Sequence, residues 1–154
     1  MIRLDNTTLF VIDVQKGLFN GQRSVYKEEE LIDNINLLIK FSRQNNFPIY
    51  FVQHESKKML EKDTEGWQLH HDLKVDTTTD NFLSKTKGSV FTENDIADKL
   101  KAVGINNIII TGLVTHMCVK TNCWEAKKLG FNVILAKDAH SNYHAEPKKM
   151  IDKW

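Results

Sequence analysis

Cysteine is scarce in this sequence: Cys118 and Cys123 are the only two, five residues apart. On a helix that spacing turns them to different faces, so no disulfide between them is expected, and a reducing cytoplasm is the simplest compartment. There is no Cys-x-x-Cys pair, which argues against thiol redox chemistry. An excess of charge of either sign is also missing. The net charge of +1 offers no basic surface for nucleic acid and no polybasic face for a membrane. No apolar run approaches the roughly 20 residues of a membrane span. The opening "MIRLDNTTLF" has neither the apolar core nor the small-residue cleavage site of a signal peptide. No glycine-rich phosphate loop follows the first apolar run, where "DVQKGLFNG" has the wrong spacing. Repeats, low-complexity runs and linkers are absent as well. A chain of 154 residues is long enough for one domain with a real core and too short for two, so a single domain over residues 1–154 is expected.

What is present is an alternation of short apolar runs and helical patterns. Residues 8–14 ("TLFVIDV"), 48–53 ("PIYFVQ") and 107–111 ("NIIIT") read as buried strands, with shorter strands expected at 82–85 and 132–136. Between them, residues 28–43 carry Leu31, Ile35, Leu38, Ile39 and Ser42 at helical spacing. A second helix is expected from Thr92, as cap, to Gly104, and a third over 115–129, closed by Gly130. Residues 57–75 read as an irregular excursion, and a last helix begins near Pro147. Continuous apolar strands alternating with helices predict an α/β fold: a three-layer α/β/α sandwich around a mainly parallel, Rossmann-like sheet. Such sheets hold ligands beyond the carboxyl ends of their strands, where strand order reverses.

Three residues stand at such ends. Asp13 closes the first run, where a carboxylate is costly to bury unless paired. Cys118 follows Thr115, the expected helix cap, by three residues, and a helix start favours a thiolate there. Lys85 ends "NFLSK". Taken singly, each has an ordinary explanation: a loop-capping carboxylate, a small core residue and a solvated lysine. Taken together they suit a cysteine nucleophile, a base to accept its proton and a cation to hold both charges.

At these residues the chain resembles the isochorismatase-like cysteine hydrolases, the superfamily that includes nicotinamidases and related amidases. "FVIDVQKGLF" (10–19) is similar to the family's opening strand. "KTKGSVF" (85–91) is similar to its lysine segment, and "IIITGLVTHMCVKTNCWEAKKLGFNVILAKDAHS" (108–141) to its nucleophile strand, elbow and following helix and strand. "GWQLHHDL" (66–73) resembles a segment found before the lysine in some members.

The resemblance implies Cys118 as nucleophile, Asp13 as general base and acid, and Lys85 as third member. Lys87 competes for that last role, and the spacing to Ser89 and Phe91 favours Lys85. It also implies a non-proline cis peptide at Val114–Thr115, with backbone N–H groups near Cys118 facing a developing oxyanion. The implied reaction is hydrolysis of a C–N bond in a small amide-type substrate through a thioester. The alternative is a silent relative that only binds a ligand or partner. Gln15, Phe19, Trp67 and His116 are the positions expected to contact substrate, and a homo-oligomer, dimer or larger, is implied.

Nicotinamidases bind a metal through an Asp-x-His after the second strand and a further histidine. Here "FVQHESKKM" (51–59) has His54 but Val52 at the aspartate position, so neither metal nor cofactor is expected. The pairs His70–His71 and His140…His144 are set aside too, because adjacent histidines point apart on regular structure and the second pair has no third ligand nearby. Cys123 reads as core.

Overall fold

The computed structural model describes residues 4–143 and 146–152. Five strands, β1 (Thr7–Ile12), β2 (Ile49–His54), β3 (Asn81–Lys85), β4 (Asn107–Leu113) and β5 (Asn132–Ser141), form one sheet in the spatial order β3-β2-β1-β4-β5. Every pairing is parallel. The helices are α1 (Lys16–Phe19), α2 (Glu28–Gln44), α3 (Ile96–Ala102), α4 (Lys120–Lys128) and α5 (Pro147–Ile151). No helix among the described residues is long and apolar enough to cross a membrane.

The three layers follow from the two-residue period of a strand. Along β1, Leu9 and Val11 point into one core with Leu31, Ile32, Ile35 and Ile39 of α2. Phe10 and Ile12 point into the other, with Ile96 and Leu100 of α3 and Cys123 and Ala126 of α4. All six residues of β1 are buried, because the strand is central and covered on both faces. That is why it reads as a nearly continuous run of apolar and β-branched residues.

The excursion before β3 has little regular structure and is held to α2 by polar bonds. Asn36 Nδ2 donates to Asp72 O (2.9 Å) and Asn36 Oδ1 accepts from Lys74 N (2.9 Å). Arg43 donates to Lys74 O and pairs with Asp80. An antiparallel bridge, Gln15 to Leu69, and backbone bonds from Lys16 N to Gln68 O and from His70 N to Val14 O tie the excursion to the segment after β1.

Three elements differ from the expectations. Thr92 does not open α3. The Ser89 hydroxyl takes the Phe91 N–H (3.1 Å) and caps a 3₁₀ turn, Val90–Thr92. This turn sinks Val90 and Phe91 into the core, and the helix proper starts after Asp95. Strand β5 continues well past residue 136, through a register shift opposite Ile110/Gly112 and a left-handed Asp138 (φ 62°). Its Lys137 and Asp138 are exposed on the sheet edge, so the apolar pattern fades before the strand does. The short helix α1 has no apolar period to announce it.

Gly112 fixes how β4 sits against β1. It pairs with Ile12, adopts φ +114°, and a Cβ there would run into the Ile12 carbonyl oxygen. Gly112→Ala is therefore expected to lower unfolding stability by more than about 3 kcal/mol, measured by urea denaturation. A loss below about 1 kcal/mol would show that the two strands can separate to admit a methyl group.

Candidate active site

Strand β1 is followed in sequence by β2 on one side and is paired with β4 on the other, so strand order reverses at its carboxyl end. Asp13 is the first residue past that end. Its N–H donates to Val52 O (2.9 Å), and its backbone turns left-handed at φ 54°, a conformation that Asp tolerates better than most residues. On the neighbouring strand, β4 gives way to a π-helical turn, Thr115–Val119, that runs on into α4. The expected helix over 115–129 is thus two pieces, and Cys118 lies in the wide first one, a form frequent at functional sites. Thr115 does not cap it: the Thr115 hydroxyl pairs with His140 Nδ1 at 2.9 Å instead.

The cis peptide lies between Leu113 and Val114, one residue before the expected Val114–Thr115 bond. Thr115 already belongs to the helical turn, whose hydrogen bonds require trans peptides, so the reversal falls at the last residue of β4.

Lys85 ends β3, two strands away from Asp13, and its side chain is fully buried. Its long stem carries the ammonium across the end of β2 to four acceptors: Asp13 Oδ2 (3.0 Å), His54 Nδ1 (2.9 Å), Lys87 O (3.1 Å) and Cys118 Sγ (3.3 Å). Lys87 supplies that carbonyl, and the residue as a whole is exposed. Asp13, His54 and Cys118 lie close enough together to suggest a metal site, but the group does not fit one. One atom from each already surrounds the Lys85 ammonium, and a metal ion would have to displace it.

The second such group is His70, His71 and Asp72. Contrary to expectation, the adjacent rings stack at 4.5 Å, because the backbone there is irregular. Asp72 N donates to His70 Nδ1 (3.2 Å), so the proton of a neutral His70 is on Nε2, which faces Glu28 Oε1 at 3.4 Å. A protonated nitrogen is no metal ligand. His144 lies outside the described residues.

Burial raises the Asp13 carboxyl above its ordinary range, with Lys85 pulling in the opposite direction. Burial and then the Asp13 charge push the Cys118 thiol up to about 11, again against Lys85. The pull toward thiolate expected of a helix start is outweighed here by loss of water and a neighbouring carboxylate. With the thiol raised that far the proton rests on sulfur, and Lys85 stands beside the Asp13 carboxyl to favour its charged form. Asp13 Oδ1 is buried with no nitrogen or hydroxyl donor among the described residues, and the Cys118 thiol hydrogen-bonds to the Asp13 carboxyl, which leaves that oxygen open to the thiol proton. Moving the proton from Sγ to that oxygen shifts a charge within a group already neutralised by Lys85, and creates no new charge in the interior.

The Isochorismatase domain model matches residues 7–151. The chain belongs to the isochorismatase family. It is 29% identical over 141 residues to an isochorismatase family protein of Bacillus subtilis, covering 88% of this chain and 73% of that one. It is 26% identical over 153 residues to nicotinamidase 3 of Arabidopsis thaliana, covering 90% and 74%. A crystal structure of an isochorismatase family protein superposes with a TM-score of 0.88 at 29% identity, covering 98% of this chain and 92% of the other. Hydrolases thus stand among its relatives.

Of the substrate positions expected from the resemblance to the isochorismatase family, Gln15 is corrected. It is fully buried. Its Nε2 donates to His54 O (3.0 Å) and Trp67 O (2.9 Å), and its Oε1 accepts from His54 N (2.8 Å). With both amide hydrogens used, it is a strut joining β1, β2 and the excursion. Phe19 is half-buried and meets the His70 ring edge at 4.6 Å. Trp67 is half-buried, with its carbonyl accepting from Gln15 and Gln53, and His116 is exposed on the elbow turn. Cys123 is buried core, its thiol pushed up to about 12 by burial.

Asn122 is not among the residues expected at the site, yet it couples two parts of it. Its Nδ2 donates to Gly88 O (2.9 Å) and Cys118 O (2.8 Å), and its Oδ1 accepts from Val90 N (2.9 Å). The signal available was a polar residue one helical turn after Cys118, on the buried face. Asn122→Ala leaves these partners unpaired in the interior and is expected to cost about 2–4 kcal/mol by thermal or urea unfolding. A cost near zero would mean the elbow and the lysine segment are not coupled through it.

His140 makes a pH prediction. Burial lowers it from 6.5 to about 4, with Asp138 opposing. Below pH 6.5 the unfolded chain takes up a proton there that the folded chain refuses, so stability falls as pH drops from about 6.5 toward about 4. Melting curves across that window should fall more steeply for the wild type than for His140→Asn. Parallel curves would mean that His140 charges freely in the folded state.

Proposed function

We propose that the protein is a cysteine hydrolase that cleaves the C–N bond of a small amide-type substrate through a thioester on Cys118. The observation that carries this reading is the fully buried Lys85 ammonium within 3.3 Å of both Asp13 Oδ2 and Cys118 Sγ, while Asp13 Oδ1 meets no donor among the described residues besides the neighbouring thiol. A structural ion pair needs no thiol beside it and no carboxylate oxygen left to take a thiol proton. The nicotinamidase among the relatives supports a C–N bond as the target.

Asp13 accepts the thiol proton from Cys118, and the new thiolate is held by Lys85. Sulfur attacks the amide carbon, and the carbonyl oxygen takes the negative charge among backbone N–H groups at the start of the elbow turn. Asp13 returns the proton to the leaving nitrogen, the C–N bond breaks, and ammonia or an amine departs. Asp13 then takes a proton from water, hydroxide adds to the thioester, and the carbon–sulfur bond breaks. The carboxylic acid leaves and the thiol recovers its proton. The raised carboxyl of Asp13 suits a group that must both take and return a proton.

The test is release of ammonia or amine from a panel of small amides, with acid-quench mass mapping of an acyl adduct at Cys118. Cys118→Ala and Asp13→Asn should each lower kcat by at least about 10³-fold while remaining folded. Lys85→Met should lower kcat comparably and destabilise the fold, because it strands a buried carboxylate. A wild type that turns over no amide and forms no adduct would sink the hydrolase reading in favour of a binding module.

A further inference from the structure

The Lys85 ammonium has one more neighbour than it has hydrogens. It carries three N–H donors and faces four acceptors. A neutral thiol is the weakest acceptor of that set. At rest, then, Asp13 Oδ2, His54 Nδ1 and Lys87 O match the three donors. Sulfur becomes a strong acceptor only as a thiolate. We propose that His54 is a positioning residue: its neutral δ-nitrogen holds the Lys85 ammonium between Asp13 and Cys118 at rest and yields a hydrogen bond to sulfur when the thiolate forms. This rests on the hydrolase reading for its catalytic consequence, but not for the contact itself.

An ammonium cannot accept, so the 2.9 Å contact requires a lone pair on Nδ1 and places the proton of neutral His54 on Nε2. The sheet builds the contact in, since His54 and Lys85 are register partners of β2 and β3. The backbone of His54 is clamped on both its N–H and its carbonyl by the buried amide of Gln15, so the ring is presented from a rigid base. The groups facing it are Lys85 from β3, Asp13 from the end of β1, Glu93 beyond the 3₁₀ turn and its own neighbour Glu55, with Cys118 across the ammonium. Burial and then Lys85 lower His54 below 6.5, and the three carboxylates oppose. Protonation would turn the acceptor into a second cation against Lys85 and release the ammonium from its place.

The experiment compares wild type with His54→Asn, whose side-chain oxygen stands where Nδ1 stood but does not titrate, and with His54→Phe, which has no acceptor. Three readouts are used: kcat and KM against pH on the amide substrate, the rate of Cys118 alkylation by iodoacetamide against pH, and the nitrogen NMR signature of His54. His54→Phe should lose about 10–100-fold in kcat with KM nearly unchanged, and His54→Asn should recover to within about fivefold of wild type. In acid, wild-type kcat should fall with the uptake of two protons, at His54 and Asp13, and that of His54→Asn with the uptake of one, at Asp13. Wild-type NMR should show an unprotonated δ-nitrogen at neutral pH.

A His54→Phe variant with wild-type kcat and alkylation profile overturns the proposal. So does a His54→Asn variant no better than His54→Phe, or a proton on the δ-nitrogen at neutral pH. If no amide is hydrolysed by the wild type, the alkylation profile and the NMR signature still decide the Lys85 contact, so failure of the hydrolase reading is told apart from failure of this one.

Discussion

A lysine ammonium taken wholly out of water must be given acceptors by the protein, and the site is organised around meeting that need for Lys85. The acceptors come from the end of β1, the end of β2, the loop beyond β3 and the turn beyond β4. These four segments are remote in sequence and adjacent only because a parallel sheet brings its carboxyl ends to one edge. Solvating one cation thereby collects a carboxylate, an imidazole and a thiol within reach of one another. The same cation accounts for the absence of room for a metal among these residues.

The chemistry that the group can support follows from its overall neutrality. Burial raises both the Asp13 carboxyl and the Cys118 thiol, and Lys85 opposes both. The first two therefore compete for one proton beside a fixed positive charge. Transfer between them relocates a charge without adding one, which a low-dielectric interior tolerates far better than the appearance of a lone thiolate.

Rigidity comes from residues that touch no reacting atom. Gln15 ties the segment after β1 to β2 and the excursion, Asn122 ties the lysine segment to the elbow, and Gly112 sets the approach of β4 to β1. Each joins two of the segments that carry the site. A small displacement in any of them would change distances around Lys85, which is why polar groups with every bond satisfied are placed there.

By itself the sequence determined the layered α/β architecture, since a strand covered on both faces reads as a nearly continuous apolar run, and residues 9–12 of β1 and 108–110 of β4 read that way. It also pointed to Asp13, Lys85 and Cys118, each with an ordinary explanation alone, because together they make a base, a cation and a nucleophile in segments that resemble the isochorismatase-like hydrolases. The tertiary structure alone decided the rest. Asn122 and His54 matter through partners about 30 residues away in the chain, which no local pattern identifies. Gln15 follows Asp13 and so looks like a ligand contact, but three-dimensional neighbours consume its amide. The resting thiol of Cys118 was invisible for the same reason: helix starts are local and legible, whereas burial and the nearness of Asp13 are properties of the folded chain, and here they outweigh the dipole.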